Sequence, residues 1–495
     1  MVKRKDFSGS GRRLPFKSLH GPKKEEGALR RFFFGAVAAI SAIFGICLFF
    51  FFSFLYPQWF GVSVPPGETT PGKILVIAPH PDDETLSAAG VIARSVRQGI
   101  PVRVVAITSG DGFSKAASAL TGKNPPGAGD FLLLGEARQK EASEAAKVLG
   151  LPEKDLIFLG YPDNALEKLW DSNWESENVF RGAATGVAGV PYPGALKPGA
   201  PYCGQSLADS LAEIFRDFRP SAVYYPHAGD EHPDHWATNA FVQYVLAATD
   251  CQAQGFTYLV HCSYWPEPPL AQPDKPLKPP LGMTGEDARW FDVPLTAEEI
   301  ELKRRALNCY VTQQKVMKPL FSAFIRSTEL FCGESPPPVP EFKEPPVSAP
   351  VQDIEAALAG TWSKSSPGRL SFRLRNGSGL DSVGVGKQGD FFWLVLKPCL
   401  PATEKYQYEL DLRFIFPGGQ AKRLAYLVSG EKVSVLAKSP DPLFISPAAV
   451  TKKEKYLLIA VPARGLQGAL YILFAGRTCF EGTMVAKTGY RLLKN

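Results

Sequence analysis

Cysteine is scarce in this chain of 495 residues, and no two cysteines stand in a C-x-x-C pattern. The sequence therefore argues against a zinc site built from thiolates. One of the eight cysteines, Cys47, falls in an apolar segment, and the odd number that remains cannot all pair within the chain. Cys251 with Cys262, or Cys309 with Cys332, could form disulfides, but spacing alone does not choose a connectivity.

An excess of positive over negative charge is also scarce outside one short region. The net charge is only +6, and ten lysines and arginines lie between Lys3 and Arg31 against few acids. Because this excess of charge lies in one place, directly before an apolar stretch, it is a weak indication of nucleic-acid binding. We therefore expect no nucleic acid as a partner.

An uncharged run rich in phenylalanine follows these basic residues, from residue 32 to residue 56. A helix of this length crosses a hydrocarbon core of roughly 30 Å with some tilt. A cleaved signal peptide has a shorter apolar core that ends in small residues, whereas this run ends in an aromatic stretch at Tyr56–Phe60. The sequence thus predicts one transmembrane helix rather than a signal peptide or a buried helix of a soluble protein.

The charge asymmetry around this run predicts its orientation. Residues 1–31 form a basic tail, which the positive-inside rule keeps in the cytoplasm. The chain beyond the helix would then lie across the membrane. We therefore predict a single-pass membrane protein with a cytoplasmic amino terminus and with its later domains, including any catalytic one, extracytoplasmic.

The length of the chain predicts two or three folded units. After a Pro/Gly linker at residues 57–72, strand-like and helix-like runs alternate over residues 73–332. This alternation predicts an α/β fold, with a Rossmann-like, mainly parallel sheet and helices on both of its faces. Two long segments interrupt the alternation, residues 164–203 and the Pro-rich residues 266–280.

The carboxyl-terminal part has a different pattern. Residues 333–352 are rich in Ser, Pro and Glu and indicate a linker. Residues 353–495 contain short apolar runs separated by turn residues, such as the run at 370–374. These runs predict an all-β, sandwich-like domain. We find no internal repeat and no catalytic constellation there, so we expect an accessory domain.

Two short and nearly matching segments carry the chemistry. Pro79-His80-Pro81-Asp82-Asp83-Glu84 follows the apolar run at 73–78, and His232-Pro233-Asp234-His235 follows the run at 221–227. In open α/β sheets, residues just past the carboxyl ends of strands line the crevice where ligands bind. The two segments therefore predict one active site.

Three of these residues form a candidate metal site. His80, Asp83 and His235 offer two imidazoles and one carboxylate, a set that binds a divalent ion and leaves a position for water. Such an ion makes water acidic enough to act as a nucleophile near neutral pH. Zinc is the first choice, and ferrous iron or cobalt would also suit this donor set.

Four neighbouring residues could support the chemistry. Asp82 diverges from Asp83 along the chain and could act as the general base. His232 could stabilise an oxyanion or protonate a leaving amine, and Asp234 could orient a histidine. Glu84 is expected to cap the following helix, as acidic residues after a strand often do, although a direct role in catalysis stays open.

The same residues resemble the signature of the LmbE-like, or PIG-L, family of metal-dependent de-N-acetylases. The resemblance implies that His80, Asp83 and His235 bind the metal, that Asp82 is the base, and that His232 is the acid or oxyanion group. It covers about residues 73–330 and says nothing of the carboxyl-terminal part. Further segments of the family pattern follow in order: Thr108–Gly112, the helix with Arg138 and Glu141, Leu159–Asp163, and the late helix with Lys303, Thr312 and Gln313.

The resemblance leaves the substrate open. Arg138 and Asp163 could contact a sugar or form structural ion pairs. Pro79 stands where the family commonly has alanine, and the segment after Asp163 is a long insertion. Its aromatic residues could stack on a sugar face or simply pack a long loop: Trp170, Trp174, Tyr192 and Tyr202.

The predicted function is that of a metal-dependent hydrolase, which removes an N-acetyl group from an N-acetylglucosamine-type sugar in a glycolipid or glycoconjugate. Two alternatives stay open. The same metal site could hydrolyse another amide or an ester, or the protein could be a noncatalytic carbohydrate-binding protein of the cell envelope.

Overall fold

The computed structural model describes residues 72–284, 289–365, 379–400, 405–436 and 445–495. All of these belong to one compact unit, Val62–Asn495. In these ranges an α/β part precedes an antiparallel β part. The predicted order of the two architectures is therefore confirmed.

A central sheet organises the α/β part. Its strands are β1 (Ile74–Ala78), β2 (Val102–Thr108), β3 (Leu156–Tyr161), β4 (Ala222–Pro226), β5 (Gln254–Tyr258), β6 (Trp290–Pro294) and β7 (Thr328–Glu334). They lie in the order β3-β2-β1-β4-β5-β7-β6. The first five are parallel, and β7 and β6 add an antiparallel edge. The sheet is thus mainly parallel, as predicted.

Helices cover both faces of this sheet. They are α1 (Asp83–Arg97), α2 (Ser114–Thr121), α3 (Ala128–Leu149), α4 (Leu166–Asp171), α5 (Gly204–Phe218), α6 (Pro233–Ala248), α7 (Ala297–Leu307) and α8 (Val311–Ala323). Side chains alternate between the faces along a strand. Leu75 and Ile77 therefore pack with α4, α5 and α6, whereas Ile74 and Val76 pack with α1, α3, α7 and α8.

The strand order positions the site. From β1 the chain proceeds outward to β2 and β3, and it then returns to β4 on the other side of β1. The carboxyl ends of β1 and β4 consequently lie side by side where the strand order reverses. Such a reversal opens a crevice at the carboxyl edge of a parallel sheet.

The β part consists of two antiparallel sheets. One has the order β14-β15-β10-β9-β8, and the other has the order β13-β12-β11-β16-β17, with β18 paired to β16. These strands follow a short helix, α9 (Val351–Ala357). The predicted strand at 370–374 lies outside the described residues. The strand bounds are β8 (Ser363–Lys364), β9 (Leu380–Gln388), β10 (Phe391–Pro398), β11 (Tyr406–Ile415), β12 (Ala421–Ser429), β13 (Lys432–Leu436), β14 (Ala449–Lys453), β15 (Tyr456–Pro462), β16 (Tyr471–Phe480), β17 (Thr483–Lys487) and β18 (Arg491–Lys494).

The β part shares a hydrophobic core with the α/β part. Leu473 and Tyr490 pack in the same cluster as Trp170 and Phe241. The rings of Trp170 and Tyr490 meet edge to face with centroids 5.1 Å apart. The indole Nε1 of Trp236 donates to the carbonyl oxygen of Thr488 at 2.9 Å. The β part therefore covers the face of the sheet that α4, α5 and α6 occupy, while the predicted domain boundaries stay predictions.

The predicted localisation is wrong on the structural finding. Over the ranges that the structure describes, no helix combines the length and the apolar character needed to cross a bilayer. The predicted span at residues 32–56 and the basic tail at 1–31 lie outside those ranges. A single-pass topology with an extracytoplasmic catalytic domain therefore has no support.

The disulfides considered from the sequence do not form. Cys251, Cys262, Cys309 and Cys332 all carry free thiols. The fold of the described residues is therefore held by packing, hydrogen bonds and ion pairs rather than by these cross-links.

Candidate metal centre and active site

The two predicted segments meet at the carboxyl edge of the sheet. His80 lies just beyond β1, and Asp83 is the first residue of α1. His232 is the N-cap of α6, and His235 lies in the first turn of that helix, which follows β4. Because β1 and β4 are neighbours in the sheet, residues far apart in the sequence converge on one cleft.

Asp83 contacts both of the imidazoles that are predicted to bind a metal. Oδ2 of Asp83 lies 3.1 Å from Nδ1 of His80 and 3.1 Å from Nε2 of His235. All three side chains are buried. In a tetrahedral zinc site with bonds of about 2.0–2.2 Å, ligand atoms lie roughly 3.3 to 3.5 Å apart. The distance from Asp83 to each imidazole nitrogen is therefore close to the spacing between two ligands of one divalent ion.

A carboxylate faces the far nitrogen of each imidazole. Nε2 of His80 lies 3.1 Å from Oδ1 of Asp163, and Nδ1 of His235 lies 3.1 Å from Oδ2 of Asp230. A carboxylate in this position favours a proton on the nitrogen that it faces, and it leaves the other nitrogen with a lone pair. The lone pairs of both rings then point to the side of Asp83, as metal ligation requires.

The buried ring of His235 gives a second indication of fit. Neither of its nitrogens completes a hydrogen bond within the described part of the chain, although carboxylate oxygens lie nearby. Buried polar atoms without partners are rare, and an ion is one of their ordinary explanations. Burial would lower the pKa of His235, but Asp230 and Asp83 raise it to about 9. The site thus attracts a positive charge, either a proton or a metal ion.

Asp82 takes an unusual backbone conformation beside these ligands. Its φ of 135° lies in a region that L-residues rarely adopt. Its Oδ2 accepts a hydrogen bond from Nη2 of Arg138 at 2.9 Å. Burial raises the pKa of Asp82 to about 8, although Arg138 opposes this shift. The predicted base is therefore close to the candidate ligands but paired with a guanidinium.

His232 is the least buried histidine of the segment and suits a donor role. Its Nδ1 accepts the backbone N–H of Asp234 at 3.2 Å, so the neutral ring carries its proton on Nε2. Burial and the charges of His80 and His235 lower the pKa of His232 to about 4. A neutral imidazole with a free N–H group near these ligands can donate to a developing oxyanion.

Asp234 is fully buried, and its carboxylate contacts both His80 and the turn that follows β3. Its Oδ2 lies 3.3 Å from Nε2 of His80, which is the orienting contact expected for it. The same carboxylate accepts the backbone N–H groups of Asn164 and Leu166 at 2.7 and 2.9 Å. Asp234 therefore also fixes the turn that follows β3.

Arg138 and Asp163 both contact protein groups inside the site. The guanidinium of Arg138 donates to the carbonyl oxygens of Gly110 and Pro81, each at 2.9 Å. Asp163 accepts the backbone N–H of Gly112 at 2.8 Å in addition to its contact with His80. Both side chains thus have structural partners.

The aromatic insertion packs inside the molecule. Trp170, Tyr192 and Tyr202 are buried in the core that covers one face of the sheet. The guanidinium of Arg413, from β11, lies over the rings of Trp170 and Trp174 at 3.6 and 4.1 Å from their centroids. Of the two interpretations considered from the sequence, the packing of a long loop is the one that these contacts favour.

Sequence reasoning missed three residues of this cluster. Asp230 orients His235, and the ring of His261 lies 4.7 Å from that of His235. Tyr310 donates a short hydrogen bond to Glu84. His261 lies three residues beyond the end of β5 at Tyr258. Its position just past a strand, like that of His80, was the signal that could have found it.

Comparisons with known proteins identify a family to which this chain is similar. The family model described as PIG-L, GlcNAc-PI de-N-acetylase, matches residues 75–246. A Bacillus anthracis protein named "Probable N-acetyl-alpha-D-glucosaminyl L-malate deacetylase 2" is 31% identical over 195 residues, which cover 37% of this chain and 81% of the relative. A Nocardia farcinica 1D-myo-inositol 2-acetamido-2-deoxy-alpha-D-glucopyranoside deacetylase is 30% identical over 177 residues, 34% of this chain.

The match is partial in length. The chain spans about half the length of several curated relatives, for example 49% of the Nocardia protein. Among solved structures, the N,N'-diacetylchitobiose deacetylase from Pyrococcus horikoshii aligns with 53% of this chain and 84% of its own, at 18% identity and a TM-score of 0.34. The sequence relationship alone shows the family: the chain belongs to the PIG-L family of de-N-acetylases.

Proposed function

We propose that this protein is a metal-dependent hydrolase that removes the acetyl group from an N-acetylglucosamine-type sugar conjugate. The observation that carries the proposal is the arrangement of two imidazoles around Asp83, each with a carboxylate on its far nitrogen. The relatives act on inositol and malate conjugates of the acetylated amino sugar, by their names. An amino-sugar conjugate is therefore the substrate class that we infer.

The proposed metal ligands are His80, Asp83 and His235. Zinc is the first choice, and ferrous iron or cobalt would suit the same donors. When bound, such an ion acidifies water and polarises an acyl oxygen. The protein supplies the orientation of both imidazoles, through Asp163 and Asp230.

The remaining roles belong to groups that move or share protons. Asp82 lies next to Asp83 and takes the proton of the attacking water. His232 donates from Nε2 to the oxygen that becomes negative as the acyl carbon turns tetrahedral. Loss of the amine then requires a proton, which Asp82 or His232 returns.

The deacetylase proposal is tested on the purified full-length chain. Metal content is measured, and acetate release is followed for N-acetylglucosamine and for its inositol, malate and chitobiose conjugates. The isosteric Asp82→Asn variant should lose about 10²- to 10⁴-fold in turnover and keep its metal, because only the base is removed. Asp209→Asn is the matched control, since Asp209 is exposed on α5, where it accepts a hydrogen bond from Gln205.

One relative supports a second candidate activity. A Streptomyces coelicolor protein named Mycothiol S-conjugate amidase is 28% identical over 175 residues. The same metal site could therefore cleave a larger amide of an amino sugar. Bound metal without acetate from any acetylated substrate, together with cleavage of a longer acyl amide, would favour this activity. Bound metal with no hydrolysis at all would favour the noncatalytic alternative.

A further inference from the structure

We propose that Tyr310 is a positioning residue, which through the carboxylate of Glu84 holds the backbone of Asp82 in its unusual conformation. The proposal rests on the function proposed above, in which Asp82 is the general base. Tyr310 is outside both motifs that define the site and lies 226 residues from Glu84 in the sequence.

The first step is the conformation that has to be held. Asp82 has φ 135° and ψ −28°, and an L-residue keeps such angles only where its surroundings impose them. Asp82 connects the strand exit at His80 to the start of α1 at Asp83. Its backbone angles therefore set the direction of its own carboxylate relative to the candidate metal ligands on either side.

The second step is the contact that holds the Asp82 amide. Oε2 of Glu84 accepts the backbone N–H of Asp82 at 3.1 Å. This N–H group precedes the helix and is not needed for the helical hydrogen bonds of α1. Glu84 thus satisfies a buried donor and at the same time fixes one side of the Asp82 peptide.

The third step is what holds Glu84. Its Oε1 accepts the hydroxyl of Tyr310 in a short hydrogen bond and the hydroxyl of Thr85 at 2.8 Å. The Tyr310 and Thr85 hydroxyl oxygens are themselves 3.0 Å apart. Both oxygens of the carboxylate are therefore engaged, and its plane cannot rotate without losing a contact. All three side chains are buried, so water cannot easily replace a lost partner.

The fourth step is the rigidity of Tyr310 itself. It is the N-cap residue of α8, and its ring packs against that of Phe321 on the same helix, with centroids 6.1 Å apart. It is fully buried in the core on the α1 side of the sheet. The hydroxyl therefore comes from a fixed element on the opposite wall from α6, which carries His232 and His235.

The test is the Tyr310→Phe variant of the full-length chain, read in two ways. Hydrogen exchange of the Asp82 amide should become at least about tenfold faster, because its acceptor is no longer held. Turnover should fall about 10- to 100-fold with KM within about twofold, since displacement of a catalytic group by an ångström costs this much. Metal content should not change.

Tyr426→Phe is the matched control. Tyr426 is a fully buried tyrosine in the β part whose hydroxyl donates to the carbonyl oxygen of Ile445 at 2.7 Å. Loss of the Tyr426 hydroxyl should lower the free energy of unfolding by about as much as Tyr310→Phe does. It should leave the exchange rate of the Asp82 amide and the turnover unchanged. If both variants show the same change in Asp82 exchange and in turnover, a general loss of stability is the cause. That result would overturn the positioning role.

A pair of substitutions at Glu84 keeps the test decisive if Tyr310→Phe folds poorly. Glu84→Gln retains an oxygen for the Asp82 amide and should keep most of the exchange protection, whereas Glu84→Leu should abolish it. Wild-type exchange of Asp82 in Glu84→Leu would overturn the proposal. Because exchange is measured without substrate, a wild-type protein that released no acetate would refute the proposed function without deciding this point.

Discussion

The carboxyl edge of the central sheet and the β part differ in how their sequences relate to their roles. The edge carries buried charged groups in short motifs: Oδ2 of Asp83 lies 3.1 Å from a ring nitrogen of His80 and 3.1 Å from one of His235. The β part contributes apolar strands, and it reaches the α/β part through contacts such as the one between Trp236 and Thr488. The candidate site residues thus lie in short local motifs, whereas helix α6, which carries His235, packs against residues from the far end of the chain.

Removal of the β part should have the largest effect on the stability of the fold. A chain that ends near residue 345 would expose Trp170 and Phe241, which now pack with Leu473 and Tyr490. A domain is stable by only about 5–15 kcal/mol, so we expect the shortened chain to be insoluble or to lack a cooperative thermal transition. Circular dichroism and calorimetry would check this. A shortened chain that melts like the full-length protein would show that the β part is dispensable for folding.

The next effect concerns a single residue that joins the two parts. Arg413 of β11 lies over two tryptophan rings and donates to the carbonyl oxygen of Trp170 at 2.8 Å. We expect Arg413→Met to lower the free energy of unfolding by about 2–4 kcal/mol, from the buried cation–π contact and the lost hydrogen bond. Denaturant titration would measure it.

Lys422→Met is the control for this substitution. Lys422 also lies over an aromatic ring, with its Nζ 5.5 Å from the centroid of Phe416. It is exposed near the start of β12. We expect a change below about 0.5 kcal/mol. Equal effects of the two substitutions would mean that Arg413 does not join the two parts.

The third effect tests the orientation of the candidate ligands. We expect Asp230→Asn to weaken zinc binding by about 10- to 100-fold, because the amide no longer fixes the proton on Nδ1 of His235. Competition with a chromogenic chelator would give the affinity, and Asp209→Asn would serve as the reference. Unchanged affinity would show that Asp230 does not orient this ligand.

The smallest effect concerns the face of the sheet opposite to the β part. There the guanidinium of Arg94 on α1 donates to both oxygens of Glu299 on α7, at 2.9 and 2.6 Å. These hydrogen bonds lower the pKa of Glu299 from 4.5 to about 2. A depressed pKa contributes stability that is complete above the unfolded value and is lost as the pH falls toward the folded value.

We therefore expect Glu299→Gln to be less stable than the wild type at pH 7. The difference should shrink as the pH falls from about 4.5 to about 2, the range between the unfolded and folded pKa values. Urea titrations of both proteins at several pH values would measure it. A difference that is constant with pH would show that the charge of Glu299 contributes nothing.

Much of the site could be predicted because its residues follow strands in recognisable segments. A buried strand such as β1 is followed by a polar turn, and in a parallel sheet such turns share one edge. The orienting residue Asp230 and the contact of Tyr310 with Glu84 could not be read in this way, since neither belongs to a motif. The prediction of a membrane-anchored protein was wrong on the structural finding, although the apolar run that prompted it lies outside the described residues.

The sequence by itself determined the alternation of strands and helices, the two motifs and the family, because hydrophobic periodicity and donor types are local properties of the chain. Only the tertiary structure decided which carboxylate faces which imidazole, that Trp170 and Tyr202 are core residues, and that the β part completes the core beside α6. These are distances between residues far apart in sequence. They depend on how strand order and helix packing bring the segments together, which no local pattern specifies.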